Sequence, residues 1–120
     1  MSTPTTTVYG IPNCDTVKKA RTWLTEHGVG FVFHDFKKLG IPAELLHGWM
    51  AAVGWETLVN RKGTTWRKLD AATQSAVQDV ASASALIVAQ PSVVKRPVVA
   101  WQDGEVTVGF SPERFAARLP

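Results

Sequence analysis

The 120-residue chain has a single cysteine, Cys14. One cysteine excludes an intrachain disulfide and any disulfide scaffold, so nothing calls for an oxidising compartment. No apolar run approaches membrane-spanning length, and no basic-then-apolar leader opens the chain. Charged residues make up 19% and the net charge is only +3. The cations fall in short clusters, Lys18-Lys19-Ala20-Arg21, Arg61–Lys62, Arg67–Lys68 and Lys95–Arg96, not in the sustained stripe that nucleic-acid binding uses. His27, His34 and His47 are scattered, and no second cysteine completes a metal-ligand pattern. Repeats, low-complexity stretches and long linkers are also missing. The expectation is a cytoplasmic, monomeric, single-domain protein with no metal, no tightly bound cofactor, no nucleic-acid partner and no membrane partner. A small anionic substrate suits its charge better.

What is present begins with the setting of the lone thiol. Thr5–Tyr9 is rich in β-branched and aromatic residues and predicts a strand; Gly10–Asn13 predicts a turn. From Asp15 the apolar residues Val17, Ala20 and Leu24 recur at helical spacing, and Gly28 provides a stop after His27. Cys14 therefore lies at a strand-to-helix junction. Unpaired backbone N–H groups and the helix dipole favour an anion there, as do nearby Lys18 and Lys19. Cys14 is the candidate nucleophile. Asn13 and Thr16 are candidates for hydrogen bonding beside it, with capping as their ordinary role.

Phe31–Phe36 reads as a second strand, parallel to the first because a helix intervenes. A helical stretch follows. Leu45, Leu46, Trp49, Met50 and Val53 form an apolar stripe after Pro42, and Trp55–Val59 reads as a short helical turn before the polar loop 60–65. Asp70 predicts a capped helix through about Val80, and Ser82–Ser84 begins another that ends before Pro91. Pro97–Trp101 and Glu105–Gly109 flank Asp103-Gly104, a hairpin signal, and Ser111-Pro112 opens a last helix with Phe115 and Leu119 facing inward. The order predicts an α/β fold: a four-stranded mixed sheet of thioredoxin-like type made from about residues 5–37 and 92–120, with a helical insertion at about 41–91.

The segment Val8-Tyr9-Gly10-Ile11-Pro12-Asn13-Cys14-Asp15-Thr16-Val17-Lys18-Lys19-Ala20 resembles the active-site segment of the glutaredoxin-linked arsenate reductase (ArsC) family. Asn60-Arg61-Lys62-Gly63 and Val94-Lys95-Arg96-Pro97-Val98-Val99 resemble that family's arginine motifs. The run Gly63–Leu69 resembles its YffB-like branch, and the Spx-type regulators are related. The resemblance implies Cys14 as nucleophile, with Arg61 and Arg96 as anion ligands. It also implies a cis Arg96–Pro97 bond facing the cysteine. Where the family has a late arginine before a proline, this chain reads Val108-Gly109-Phe110-Ser111-Pro112. Gly10 stands where the family has a histidine, Lys18 where it has an arginine, and Val17 where Spx-type proteins carry a second cysteine. These departures count against arsenate, and an arginine at Gly109 or Phe110 is expected to restore it.

With no resolving cysteine, an external thiol must complete the chemistry. The expected function is a glutathione-dependent, monothiol oxidoreductase with glutathione as co-substrate, and a glutaredoxin as a candidate partner. Lys18, Arg61, Arg96 and Pro97 are its candidate substrate-binding residues. The alternatives are arsenate reduction with glutathione or glutaredoxin, and a non-enzymatic Spx-like regulator that binds RNA polymerase.

Overall fold

A computed structural model describes residues 5–119. The chain divides into two compact units, one of residues up to Asp35 together with those from Arg96 onward, the other Phe36–Lys95.

In the first unit, β1 (Thr6–Gly10) leads into α1 (Asp15–Glu26) and then β2 (Phe31–Asp35). After the second unit come β3 (Val98–Ala100), β4 (Val106–Val108) and α8 (Pro112–Ala116). The sheet order is β2-β1-β3-β4. β1 and β2 are parallel, with Val8 opposite Phe33, while β1–β3 and β3–β4 are antiparallel. This is the expected mixed sheet. The hairpin closes through Gly104, whose φ of 90° needs glycine, and Trp101 donates its backbone N–H to the Glu105 carbonyl at 2.8 Å.

Helical spacing puts Val17, Ala20 and Leu24 on the buried side of α1. Ala20 and Leu24 pack with Val8, Val99, Trp101 and Phe115. Phe115 meets the rings of Trp23, Trp101 and Phe110 edge-on, with centroids 5.6, 5.0 and 4.8 Å away, so one side chain anchors a five-residue helix. Ser111 caps that helix by accepting the Arg114 backbone N–H. Leu119 lies beyond its end and is half-buried.

The second unit is helical: α2 (Phe36–Leu39), α3 (Ala43–Val53), α4 (Trp55–Leu58), α5 (Thr64–Arg67), α6 (Ala71–Ala76) and α7 (Val80–Ala89), then a 3-10 turn at Pro91–Val93. Trp49 is buried, whereas Trp55 is partly exposed. The unit is wider than the expected insertion. Phe36, read as the end of a strand, starts α2, and the Lys95 N–H is held by the Leu58 carbonyl at 2.8 Å. The helix expected from Asp70 through Val80 breaks at Val77, whose φ of −87° and ψ of 101° are not helical. A new helix starts because Asp79 and Ser82 form a capping box: the Asp79 carboxylate accepts the Ser82 N–H at 2.9 Å, and the Ser82 hydroxyl oxygen accepts the Asp79 N–H at 3.1 Å.

Candidate active site

Cys14 is the N-cap residue of α1 and is half-exposed. Its backbone is extended (φ −96°, ψ 124°), its carbonyl accepts the Lys18 N–H at 2.9 Å, and its own N–H bonds the Ile11 carbonyl at 3.2 Å. Ile11 is buried, which fixes the start of the turn, while Pro12 and Asn13 are exposed. The sulfur makes no capping bond to the helix start. A half-exposed cysteine at the start of a three-turn helix, with orphan N–H groups behind it, lies where an anion can bind. Thr16 and Lys18 are exposed in the first turn, so Asn13, Cys14, Thr16 and Lys18 cluster in one short segment.

Arg96 and Pro97 precede β3. Their peptide bond is cis, as the resemblance implied. The register pairs Tyr9 with Val98, which puts Pro97 level with Gly10 on the neighbouring strand. The buried Pro97 accepts the Gly109 N–H at 2.8 Å, and Arg96 is half-buried. Thus Cys14 follows the end of β1 and Pro97 precedes the start of antiparallel β3, at one end of the sheet.

Arg61 belongs to the other unit. There it lies 3.6 Å from the Glu56 carboxylate and 5.5 Å from the Trp55 ring centroid. Its loop is a tight turn in which Gly63 N–H bonds the Asn60 carbonyl at 3.1 Å; a Cβ on Gly63 would lie 2.9 Å from the Asn60 amide nitrogen. The loop is tied to the 3-10 turn by the Asn60 N–H, which donates to the Val93 carbonyl at 2.7 Å.

The departures from the family pattern have structural reasons. A Cβ on Gly10 would sit 2.8 Å from Val17 Cγ2, so Val17 fills the space that a side chain at Gly10 needs. Gly109 has a φ of 81°, and Phe110 packs against the Phe115 cluster. Neither position takes an arginine without disturbance, which corrects the expectation that one placed there restores arsenate chemistry. His34 lies opposite Tyr9 on β2, with ring centroids 5.0 Å apart. Burial raises the Tyr9 hydroxyl above its ordinary pKa, against a smaller opposite effect from its bond to the Thr7 side chain. Among the described residues, no group of three or more histidine, cysteine or carboxylate side chains is placed to hold a metal ion, and no helix is long and apolar enough to cross a membrane.

Arg21 escaped the sequence reading as a site residue. Its guanidinium lies 4.1 Å from the Phe33 ring centroid and it lines an open groove with Lys18, Thr22, Thr25, Glu26 and Phe31. The signal was its position seven residues after Cys14, on the same helical face.

The ArsC family model matches residues 9–118. The chain belongs to the ArsC family. An uncharacterised protein of Haemophilus influenzae is 39% identical to it over 92% of this chain and 96% of its own. The solved structure of a YffB protein superposes with a TM-score of 0.89 at 52% identity, covering 97% of this chain and all of the other. An arsenate reductase (ArsC) related protein from Brucella melitensis gives 0.75 at 51% identity, with 98% and 97% covered. Global transcriptional regulator Spx of Streptococcus pyogenes is a more distant relative, 26% identical over 94% of this chain and 84% of its own. The fold of this ArsC-family chain is thioredoxin-like.

Proposed function

We propose that this ArsC-family protein is a glutathione-dependent thiol oxidoreductase with Cys14 as nucleophile. One observation carries the reading: the chain's sole cysteine is half-exposed at the N-cap of α1, its sulfur unused in capping. Family membership supports thiol-based oxidoreduction as the general chemistry. The Cys14 thiolate attacks a disulfide that includes glutathione. A new bond forms from Cys14 to the glutathione sulfur, and the other sulfur leaves as a thiolate that takes a proton from solvent. A second glutathione then attacks the adduct, releasing oxidised glutathione and restoring Cys14. Arg96 and Lys18 bind the carboxylates of the co-substrate, backbone groups at Pro97 hold its peptide part, and Asn13 and Thr16 orient it at the helix start. Arg61, whose charge is paired with Glu56 within its own unit, is the remaining cation proposed for anion binding. A glutaredoxin can replace the second glutathione as reductant. The proposed setting is the cytoplasm, where reduced glutathione is available.

Arsenate reduction is the weaker reading, since Val17 occupies the space beside Gly10 and no arginine stands at 108–111. Exposure to oxidised glutathione followed by intact-protein mass spectrometry tests the proposal. One glutathionyl group on the protein, absent from Cys14→Ser and removed by reduced glutathione, is expected. An unmodified protein overturns it and leaves the binding-module reading; rapid Cys14-dependent arsenate turnover favours the arsenate reading instead.

A further inference from the structure

The face of α1 that starts at Cys14 carries cations close to the sulfur. Helical spacing places Cys14, Lys18, Arg21 and Thr25 along one side. At ~1.5 Å per residue, Lys18 lies about 6 Å and Arg21 about 10 Å along the axis from Cys14, while Glu26 is about 18 Å away. Asp15 is adjacent in sequence but turned by about 100° from Cys14. Lys18, Arg21 and Thr25 line a groove floored by Phe31, and Arg21 is steadied over Phe33. A second groove on the neighbouring side of the helix shares Lys18 and adds Lys19. The half nearest the thiol is therefore cationic, and its carboxylate is at the far end.

We infer that this face docks an acidic peptide segment, so that the oxidised substrates are glutathionylated proteins with carboxylates close to the modified cysteine. The inference rests on Cys14 being the nucleophile proposed above. An extended peptide advances ~3.3 Å per residue and alternates its side chains, so carboxylates two and four residues from the substrate cysteine share its face and come within reach of the long Lys18 and Arg21 side chains. Chemically, Cys14 takes the glutathionyl group, the peptide departs as a thiolate and is protonated by solvent, and one reduced glutathione regenerates Cys14 as oxidised glutathione forms. The groove sets which peptide is presented, and the sulfur exchange is unchanged.

Three glutathionylated synthetic peptides, identical except for Asp, Ser or Lys at those two positions, test it with the intact protein. Peptide-thiol release at low salt is expected to be about threefold to tenfold faster for the Asp peptide than for the Ser peptide, the size of two exposed ion pairs, and slowest for the Lys peptide. Salt near 0.5 M should erase the ranking by screening, and Arg21→Glu should shrink or reverse it. If Arg21→Glu fails to fold, the salt comparison on the unmodified protein still decides. Equal rates for the Asp and Lys peptides, with Cys14 still reacting with oxidised glutathione, overturn the docking face alone. Failure of Cys14 to react with oxidised glutathione overturns the thiol reading and this inference with it.

Discussion

Cys14 and Gly10 are four residues apart, and the side chain of Val17 connects them. It sits where a Cβ on Gly10 would go, and it belongs to the first turn of the helix that Cys14 caps. Gly10→Ala should therefore press on the start of α1. An overpacked buried site costs about 1–3 kcal/mol, read by urea denaturation, and the rate of Cys14 adduct formation should change with it. The arginines differ as well. The Arg61 charge already has an exposed carboxylate partner, and such pairs contribute little. Arg96 adjoins Pro97 in the unit that holds Cys14. Arg96→Ala is expected to slow the glutathione reaction about tenfold to a hundredfold, the loss of one charge-assisted hydrogen bond, and Arg61→Ala by less. Stopped-flow comparison of the two variants measures the ordering; a larger effect from Arg61→Ala would reverse the assignment.

At the scale of elements, the caps of α6 and α7 respond to acid. Hydrogen bonds from Thr73 hold the Asp70 carboxyl below the ordinary aspartate range, and those from Ser82 do the same for Asp79. A carboxylate with a lowered folded-state pKa stabilises above its unfolded value, near ~3.9, and that contribution disappears as pH falls through the folded value. Helicity lost on acidification below pH ~4 should therefore be smaller in Asp79→Asn than in the parent, because an amide still accepts at an N-cap without titrating. Circular dichroism against pH checks this.

The same helices mark where sequence reading stopped. β1, α1, the hairpin and α8 were legible because period 2 gives way to period 3.6, and Gly28, Asp103-Gly104 and Ser111-Pro112 punctuate them. The break at Val77 was not: no glycine or proline interrupts 71–89, so the pattern carries the first helix through to about Val80 and puts the second start at Ser82. Yet Asp79 three residues before Ser82 repeats the spacing of Asp70 and Thr73, and that repeat signals a second start. Four-residue α2 is too short to display any period. Among site residues, Cys14 and the Arg96–Pro97 pair were visible as junction and motif. The Glu56 partner of Arg61 and the Phe33 partner of Arg21 depend on folded geometry that spacing does not encode.

For the whole molecule, the informative feature is where the chain leaves the sheet for the second unit and returns. β2 ends at Asp35, opposite Gly10, and β3 begins just after Pro97, level with the same glycine on the other side. Departure and return are thus two strand spacings apart, about 10 Å, with β1 between them. Hydrogen-bond ladders to β1 hold both points, so the length of the intervening chain does not set their separation. Extra Gly-Ser residues between Gly40 and Ile41 should be nearly neutral, since closure entropy grows only as the logarithm of length, ~0.6 kcal/mol per doubling. Thermal melts and the Cys14 adduct assay are expected to be unchanged. The short bend of Ile11–Asn13 has no such latitude: one residue added between Pro12 and Asn13 removes the Ile11–Cys14 bond and displaces the thiol from the helix start. Tolerance to length change is thereby divided along the chain, generous at the junction after Gly40 and absent in the three-residue bend before the thiol.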